Sequence, residues 1–415
     1  MKRKLLVMLI LMVFAATGCS ADNAPVETVD EQIELTLSWW GNDERHEYTL
    51  EAVKQFEKLY PNIDVKCSYT EWSGYQTRSD VLMRSDTEAD VMLINYAWIE
   101  KYSSDGSGYY DLYKVADSLG LENFGEYELS FGVKNEKLNA IPIAMNTQSF
   151  YVNKTIYDSY GLPVPKTWDD MFEAAKVMNG EVYPIAMTAK SAFFYVVAYA
   201  EQESGKRFME QDGTVNFSVD DFRTMIDFYC RLINEKVMPQ VEYFDRKEIG
   251  EGKYAGCLAW LSDGSAYFNK AIENGYEYVV ADYPSMNGVS SETGWYAKPA
   301  TMYAVSKNTV HPQQAALLLD FLLNSDEMAE LQATEKGIPL STAAREYLSE
   351  TGKLDGMQYK AFEKMQEHGE LAVLSPYFEN DDMIDEFRSC CNAVLFDKET
   401  AESQAQYLYD LYAKK

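Results

Sequence analysis

Ile33-Glu34-Leu35-Thr36-Leu37-Ser38-Trp39-Trp40-Gly41 is the stretch on which the fold turns. Ile33, Leu35, Leu37 and Trp39 alternate with Glu34, Thr36 and Ser38, and a period of two predicts a strand. Leu50, Val53, Phe56 and Leu59 then recur at helical spacing and stop at Pro61. Val65, Cys67 and Tyr69 alternate again, and Val91 to Ile94 is a short apolar run after Asp90. Strand, helix, strand, helix, strand predicts an α/β lobe on a mainly parallel sheet. One feature fits poorly. Clean alternation implies a half-covered face, whereas a central parallel strand is usually buried on both.

Outward from there the chain is mostly helical. Thr167-Trp168-Asp169-Asp170 puts a hydroxyl at an N-cap and a carboxylate three residues on, so Trp168 is expected to pack structurally. Phe222, Met225, Ile226, Tyr229, Leu232 and Ile233 form one apolar helical face ending before Pro239. Further helices are expected at Gln313 to Leu323, Asp381 to Leu395 and Thr400 to Tyr412. Asp212-Gly213 reads as a hairpin turn. A chain of 415 residues with 47% hydrophobic content exceeds one typical domain, so two lobes are expected.

The N-terminus carries an address. Lys2, Arg3 and Lys4 precede an apolar run from Leu5 to Ala16, too short for a permanent span. Ala16-Thr17-Gly18-Cys19 resembles the bacterial lipoprotein box, with Ala16 where Leu is usual. Residues 1–18 are therefore expected as a signal peptide, Cys19 as the lipidated residue, and 19–32 as a polar tether. The folded part is expected outside the cytoplasm, held to the membrane by that lipid.

Basic and acidic residues number 37 and 66, a net charge of −29. Such a field repels phosphate backbones and argues against nucleic acid as a partner. Cys67, Cys230, Cys257, Cys390 and Cys391 follow Cys19 without CxxC spacing, so no disulfide framework and no metal site are expected. The cysteines read as small buried hydrophobes.

Short motifs run along nearly the whole chain in one order. Leu37-Ser38-Trp39-Trp40-Gly41 is followed by Phe56-Glu57-Lys58-Leu59-Tyr60-Pro61-Asn62, then by Ala89-Asp90-Val91-Met92 and Asn95-Tyr96-Ala97-Trp98. Ile141-Pro142-Ile143, Tyr151-Val152-Asn153-Lys154, Pro165-Lys166-Thr167-Trp168 and Gly337-Ile338-Pro339 come later. In this order they resemble the extracellular solute-binding proteins of bacterial carbohydrate ABC importers, the group that includes maltose-binding protein. Gly252-Lys253-Tyr254-Ala255-Gly256-Cys257 departs from the family's usual small residues and Met. The resemblance implies a two-lobed, type II periplasmic-binding-protein-like α/β fold with crossing segments and a cleft. On the motif positions, lobe 1 is 33–143 plus 302–337, and lobe 2 is 147–298 plus 341–415. It implies a monomer that delivers sugar to permease subunits, with no cofactor.

Sugar offers hydroxyls and apolar C–H faces, so its site needs flat rings beside amides and carboxylates. The chain is 14% aromatic, with 31 Tyr, 19 Phe and 7 Trp. Three strand ends each offer a ring with polar neighbours: Trp40 with Asn42, Glu44 and Arg45; Trp72 and Tyr75 beside Glu71; and Asn95 with Tyr96. Asn146, Trp260, Asp263, Trp295 and Tyr296 are expected to face them from the other side. Alternation turns Trp39 inward and Trp40 outward. Arg45, followed by His46, raises the idea of pairing with a sugar carboxylate.

Enzyme readings find little. Only His46, His311 and His368 are present, and nucleophile-elbow, zincin and phosphate-loop motifs are absent. A lipid-anchored glycoside hydrolase is the alternative, since two carboxylates suffice for that reaction. A non-catalytic surface glycan-binding protein is the third reading.

Overall fold

The computed structural model describes residues 32–289 and 294–414. The expected signal peptide, Cys19 and all of the tether except Gln32 lie outside the described residues.

The first half runs β1 (Ile33–Trp40), α1 (Asp43–Leu59), β2 (Ile63–Thr70), α2 (Trp72–Arg84), β3 (Val91–Ile94), α3 (Ala97–Ser103) and α4 (Glu126–Ser130). A short hairpin, β4 (Val133–Lys134) and β5 (Lys137–Leu138), leads into the long β6 (Ile141–Asn153). Then come α5 (Lys154–Ser159), α6 (Trp168–Met178), β7 (Ala186–Met187), α7 (Ala189–Ser204), α8 (Val219–Asn234), β8 (Gly256–Trp260), α9 (Gly264–Glu273) and β9 (Tyr278–Ala281). The chain closes with β10 (Tyr296–Val305), α10 (Pro312–Asn324), α11 (Asp326–Gln332), α12 (Thr342–Glu350), α13 (Gly356–Glu367), β11 (Ala372–Val373), α14 (Asp381–Leu395) and α15 (Ala401–Leu408).

β1 pairs in parallel with β2 and with β3. Ile33, Leu35, Leu37 and Trp39 are buried, while Glu34 is exposed and Thr36, Ser38 and Trp40 are half-buried. The alternation in the sequence was therefore a true signal that helices cover one face of this sheet better than the other. Trp39 is fully buried, worth about 3 kcal/mol of transfer free energy.

β10 pairs antiparallel with β3 through Met302–Val305, and β6 pairs with β10 at one end and with β8 and β9 at the other. Two long strands thus belong to both halves of one sheet, ordered β2-β1-β3-β10-β6-β8-β7. Where β10 meets β6 the register slips at Thr301↔Ala144 and is restored at Met302↔Pro142. Beside this point Leu340 N donates to Ile143 O, and Pro339 bridges to Ala144.

The expected start of the second lobe at 341 is corrected by packing. α12 sits on α11 and α10, with Ala344 and Leu348 clustered against Ala329. The chain reaches the other half only after Thr351, where α13 packs on α9 and β9. Left-handed Gly352 and Gly356 bracket that passage, a backbone conformation that other residues adopt at a cost.

Local signals decide several helices. Thr167 and Asp170 form the expected reciprocal cap, and Ser218 with Asp221 forms a second one. Trp168 is buried, and its indole N–H donates to Gln202. Asp212-Gly213 does make a turn, but Met209 and Val215 share only an isolated bridge, so no hairpin of strands forms. All five cysteines in the described residues are free thiols, and burial pushes Cys67 up to about 11. Among the described residues no helix is long and apolar enough to cross a membrane.

Candidate functional site

Trp40 ends β1 and is followed by Gly41, where a Cβ would lie 2.4 Å from Arg45 Cδ. Only glycine lets the first turn of α1 fold back so closely on the strand. Trp40 meets Trp72 at 4.9 Å between centroids, Tyr75 at 5.3 Å and Trp98 at 6.3 Å. Trp98 lies parallel to Tyr75, 6.0 Å apart with planes 6° from each other. Trp72, 38% exposed, and half-buried Trp40 present their rings, while Tyr75 and Trp98, each 4% exposed, form the floor. Three expected ring residues are thus brought together. Trp98 was missed as a site residue, although it stands within the Asn95-Tyr96-Ala97-Trp98 motif.

Tyr75 was expected to meet ligand, and its hydroxyl is instead spent on the sheet. It donates to Leu93 O at 2.8 Å and pairs with Ser38 Oγ at 3.0 Å. Tyr96 is half-buried against Phe131, and Asn95 accepts from Ala97 N. Asn42 caps α1 by accepting from Arg45 N, and Glu44 is an exposed first-turn acid that favours the helix dipole.

Arg45 is committed elsewhere, which removes it from the expected ligand set. Its guanidinium forks onto Glu335 at 3.0 and 2.9 Å, and Tyr48 donates to the same carboxylate at 2.6 Å. Burial pushes the Glu335 carboxyl up, but the bonds from Arg45 and Tyr48 outweigh it and hold it below the usual range. Lys336, 4% exposed, donates to Tyr303 at 3.0 Å; burial, then the nearby Arg45 charge, brings it down to about 7. His46 accepts from the Trp39 indole.

On the second side, Lys298 stands opposite Asn146 and Gln148 stands opposite Trp260, so these residues share one face of β10, β6 and β8. Lys298 Nζ lies 4.7 Å above the half-buried Trp260 ring and is also paired with Glu379. Lys190 approaches Glu379 at 3.9 Å and Asp381 at 3.2 Å. Asn146 donates to Ser262 Oγ and accepts from Ser262 N. Buried Gln148 has neither amide atom bonded to a described residue. Asp263 is half-buried just before α9, where burial raises its carboxyl against the pull of Arg246.

Trp295 is a correction. It is 1% exposed and packed on Tyr283 at 3.9 Å and His368 at 4.7 Å, in the core. Tyr296 is 7% exposed, with its hydroxyl donated to buried Glu201. Lys298, Lys190, Glu379 and Gln148 were missed. Lys298 is the residue at which the first part of the expected lobe 2 ends, which was the one available signal. Among the described residues no cluster of His, Cys, Asp and Glu could hold a metal ion.

The sequence profile of the bacterial extracellular solute-binding proteins matches residues 42–329. This chain belongs to that family. A putative binding protein of Brucella abortus is 24% identical over 306 residues, 71% of this chain and 72% of that protein. A periplasmic oligogalacturonide binding protein from Yersinia enterocolitica superposes with a TM-score of 0.80 at 30% identity, covering 91% of this chain and 98% of its own. The same protein has been solved with saturated digalacturonic acid. A de novo designed cysteine esterase also superposes, with a TM-score of 0.84 and 30% identity over 92% of this chain and 97% of its own. The family member is thus a solute-binding component of an ABC importer with a type II two-lobed fold, similar to sugar-binding proteins.

Proposed function

We propose that this protein captures an oligosaccharide between its two lobes, closes on it and delivers it to the permease of an ABC importer without altering it. Lobe 1 is taken as 33–143 with 302–350, and lobe 2 as 147–298 with 356–414; β6, β10 and the segments near 339 and 353 form the hinge. The observation that carries the reading is one ring platform on each lobe at strand ends: Trp40 with Trp72, and Trp260 under Lys298. Rings of this kind stack on the apolar faces of sugars, and flanking charged and amide groups bond the hydroxyls.

Contacts on both lobes favour the closed state because only that state makes them all. A similar protein that binds digalacturonic acid supports a sugar chain as cargo. Cys19 is the proposed lipid anchor, placing a monomer on the outer side of the membrane. Calorimetry of the form lacking residues 1–32 against mono- and oligosaccharides, with small-angle scattering for closure, tests the reading. Saturable binding with compaction and no new reducing ends is expected. Reducing ends would establish a hydrolase instead, and binding to insoluble polymer without compaction would establish an adhesin.

A further inference from the structure

A cavity of about 490 Å³ has walls from both halves of the chain. Tyr127 and Ser130 of α4 line one side; Arg207, Gln211, Tyr296 and Glu370 line the other. Tyr127 reaches across and donates to Leu371 O at 2.9 Å.

Two runs of touching rings join this cavity to the platforms through the interior, their middle members Phe131, Phe194 and Phe378 being 4%, 3% and 0% exposed. On the first side Tyr96, next to Asn95 at the end of β3, meets Phe131 at 6.1 Å, and Phe131 meets Tyr127 at 5.0 Å. On the second side Trp260 meets Phe194 at 5.6 Å, Phe194 stacks on Phe378 at 4.8 Å, and Phe378 meets Tyr296 at 5.3 Å. Tyr296 lies two residues before Lys298 on β10, hence on the same strand face.

The polar groups in the cavity are not all spent. Arg207 is exposed and has no hydrogen bond or ion pair to a described residue; its charge acts on Glu201 and Tyr296 only through space. Gln211 donates its amide N–H to Val373 O at 2.7 Å, leaving its amide oxygen without a donor among the described residues. Glu370 is exposed at the rim. Glu201, by contrast, is consumed: it is 1% exposed and accepts from Phe208 N and the Tyr296 hydroxyl. A planar donor fork, an amide acceptor and a carboxylate acceptor around one hollow match a ring bearing several hydroxyls.

The geometry points to this cavity as an additional sugar subsite, in which Arg207, Gln211 and Glu370 bond the hydroxyls of the next unit of the chain and so set a preference for length. This rests on the sugar-capture reading and deepens it. The volume is in the range of small-molecule pockets, enough for a sugar ring with its hydration partly displaced.

The test uses calorimetry with two ladders of two, three and four units, oligogalacturonides and malto-oligosaccharides, on the unsubstituted protein and on Arg207→Ala and Gln211→Ala. For the ladder that binds, affinity should rise from two units to three or four. Arg207→Ala should weaken the longer chains about tenfold, as for a charge-assisted hydrogen bond, and Gln211→Ala, a neutral amide, about threefold, each changing the two-unit sugar less than twofold. Both side chains are exposed, so unchanged thermal midpoints serve as the folding control. Equal effects at all lengths, or none at any, overturn the subsite while leaving sugar capture intact. No binding of either ladder to the unsubstituted protein overturns both.

Discussion

Two ion pairs flank the rings, and exposure hardly tells them apart. Arg45 and Glu335 are 14% and 21% exposed, Lys298 and Glu379 22% and 23%. Their bonding separates them. Arg45 lies behind Trp40, forked onto a carboxylate that also takes the Tyr48 hydroxyl, with buried Lys336 next in sequence. Lys298 lies over the Trp260 face, and its carboxylate partner is shared with Lys190. A planar donor fork on a carboxylate whose lone pairs are taken holds one geometry, whereas an ammonium over a ring and a shared carboxylate can exchange partners. One pair fixes a ring from behind; the other can be rearranged by a guest.

The largest break in this contrast should come from Glu335→Ala. It strands buried Arg45 and Tyr48, and about 3 kcal/mol of unfolding free energy should be lost in urea titrations. Lys336→Met gives the next effect, through pH. Lys336 titrates near 7 in the folded chain, well below an ordinary lysine, so the unfolded state binds more protons above that pH. Stability from this group therefore rises with pH, by about 2 kcal/mol between pH 7 and 9, and the rise should vanish in Lys336→Met. A difference in thermal midpoints that stays constant across that range would refute the buried placement.

Removing a ring comes third. Trp40→Ala and Trp260→Ala should each weaken sugar binding about tenfold in calorimetry, the worth of one stacked aromatic face. The smallest change is expected from Glu379→Ala. Stability should fall by less than about 1 kcal/mol, and sugar affinity should become less sensitive to salt. A stability loss matching that of Glu335→Ala would erase the distinction between the pairs.

Much of the architecture was legible because it is written in short-range patterns. The alternation of Ile33 to Trp39, the spacing of Leu50 to Leu59 and the cap at Thr167 each survive in place. Ring residues at strand ends were legible for the same reason: a strand that stops at Trp40 must present it there. What was not legible depends on partners far along the chain. Arg45 was read as a ligand residue, and its fork is taken by Glu335, 290 positions away. Trp295 looked like Trp260, and only its packing on Tyr283 and His368 separates them. The edge of the second half was misplaced because Gly337-Ile338-Pro339 marks a passage along β6, while α12 folds back before the final crossing.

The paired slip where β10 runs beside β6 has one more implication. An additional residue on each strand cancels within a few positions, so every side chain from Met302 onward keeps its proper orientation. Deleting Ala300 alone would cancel only one of the two offsets. Tyr303 and Val305 would then trade faces with Met302 and Ala304, all four wholly interior, so a single lost codon would put large and small side chains in each other's places.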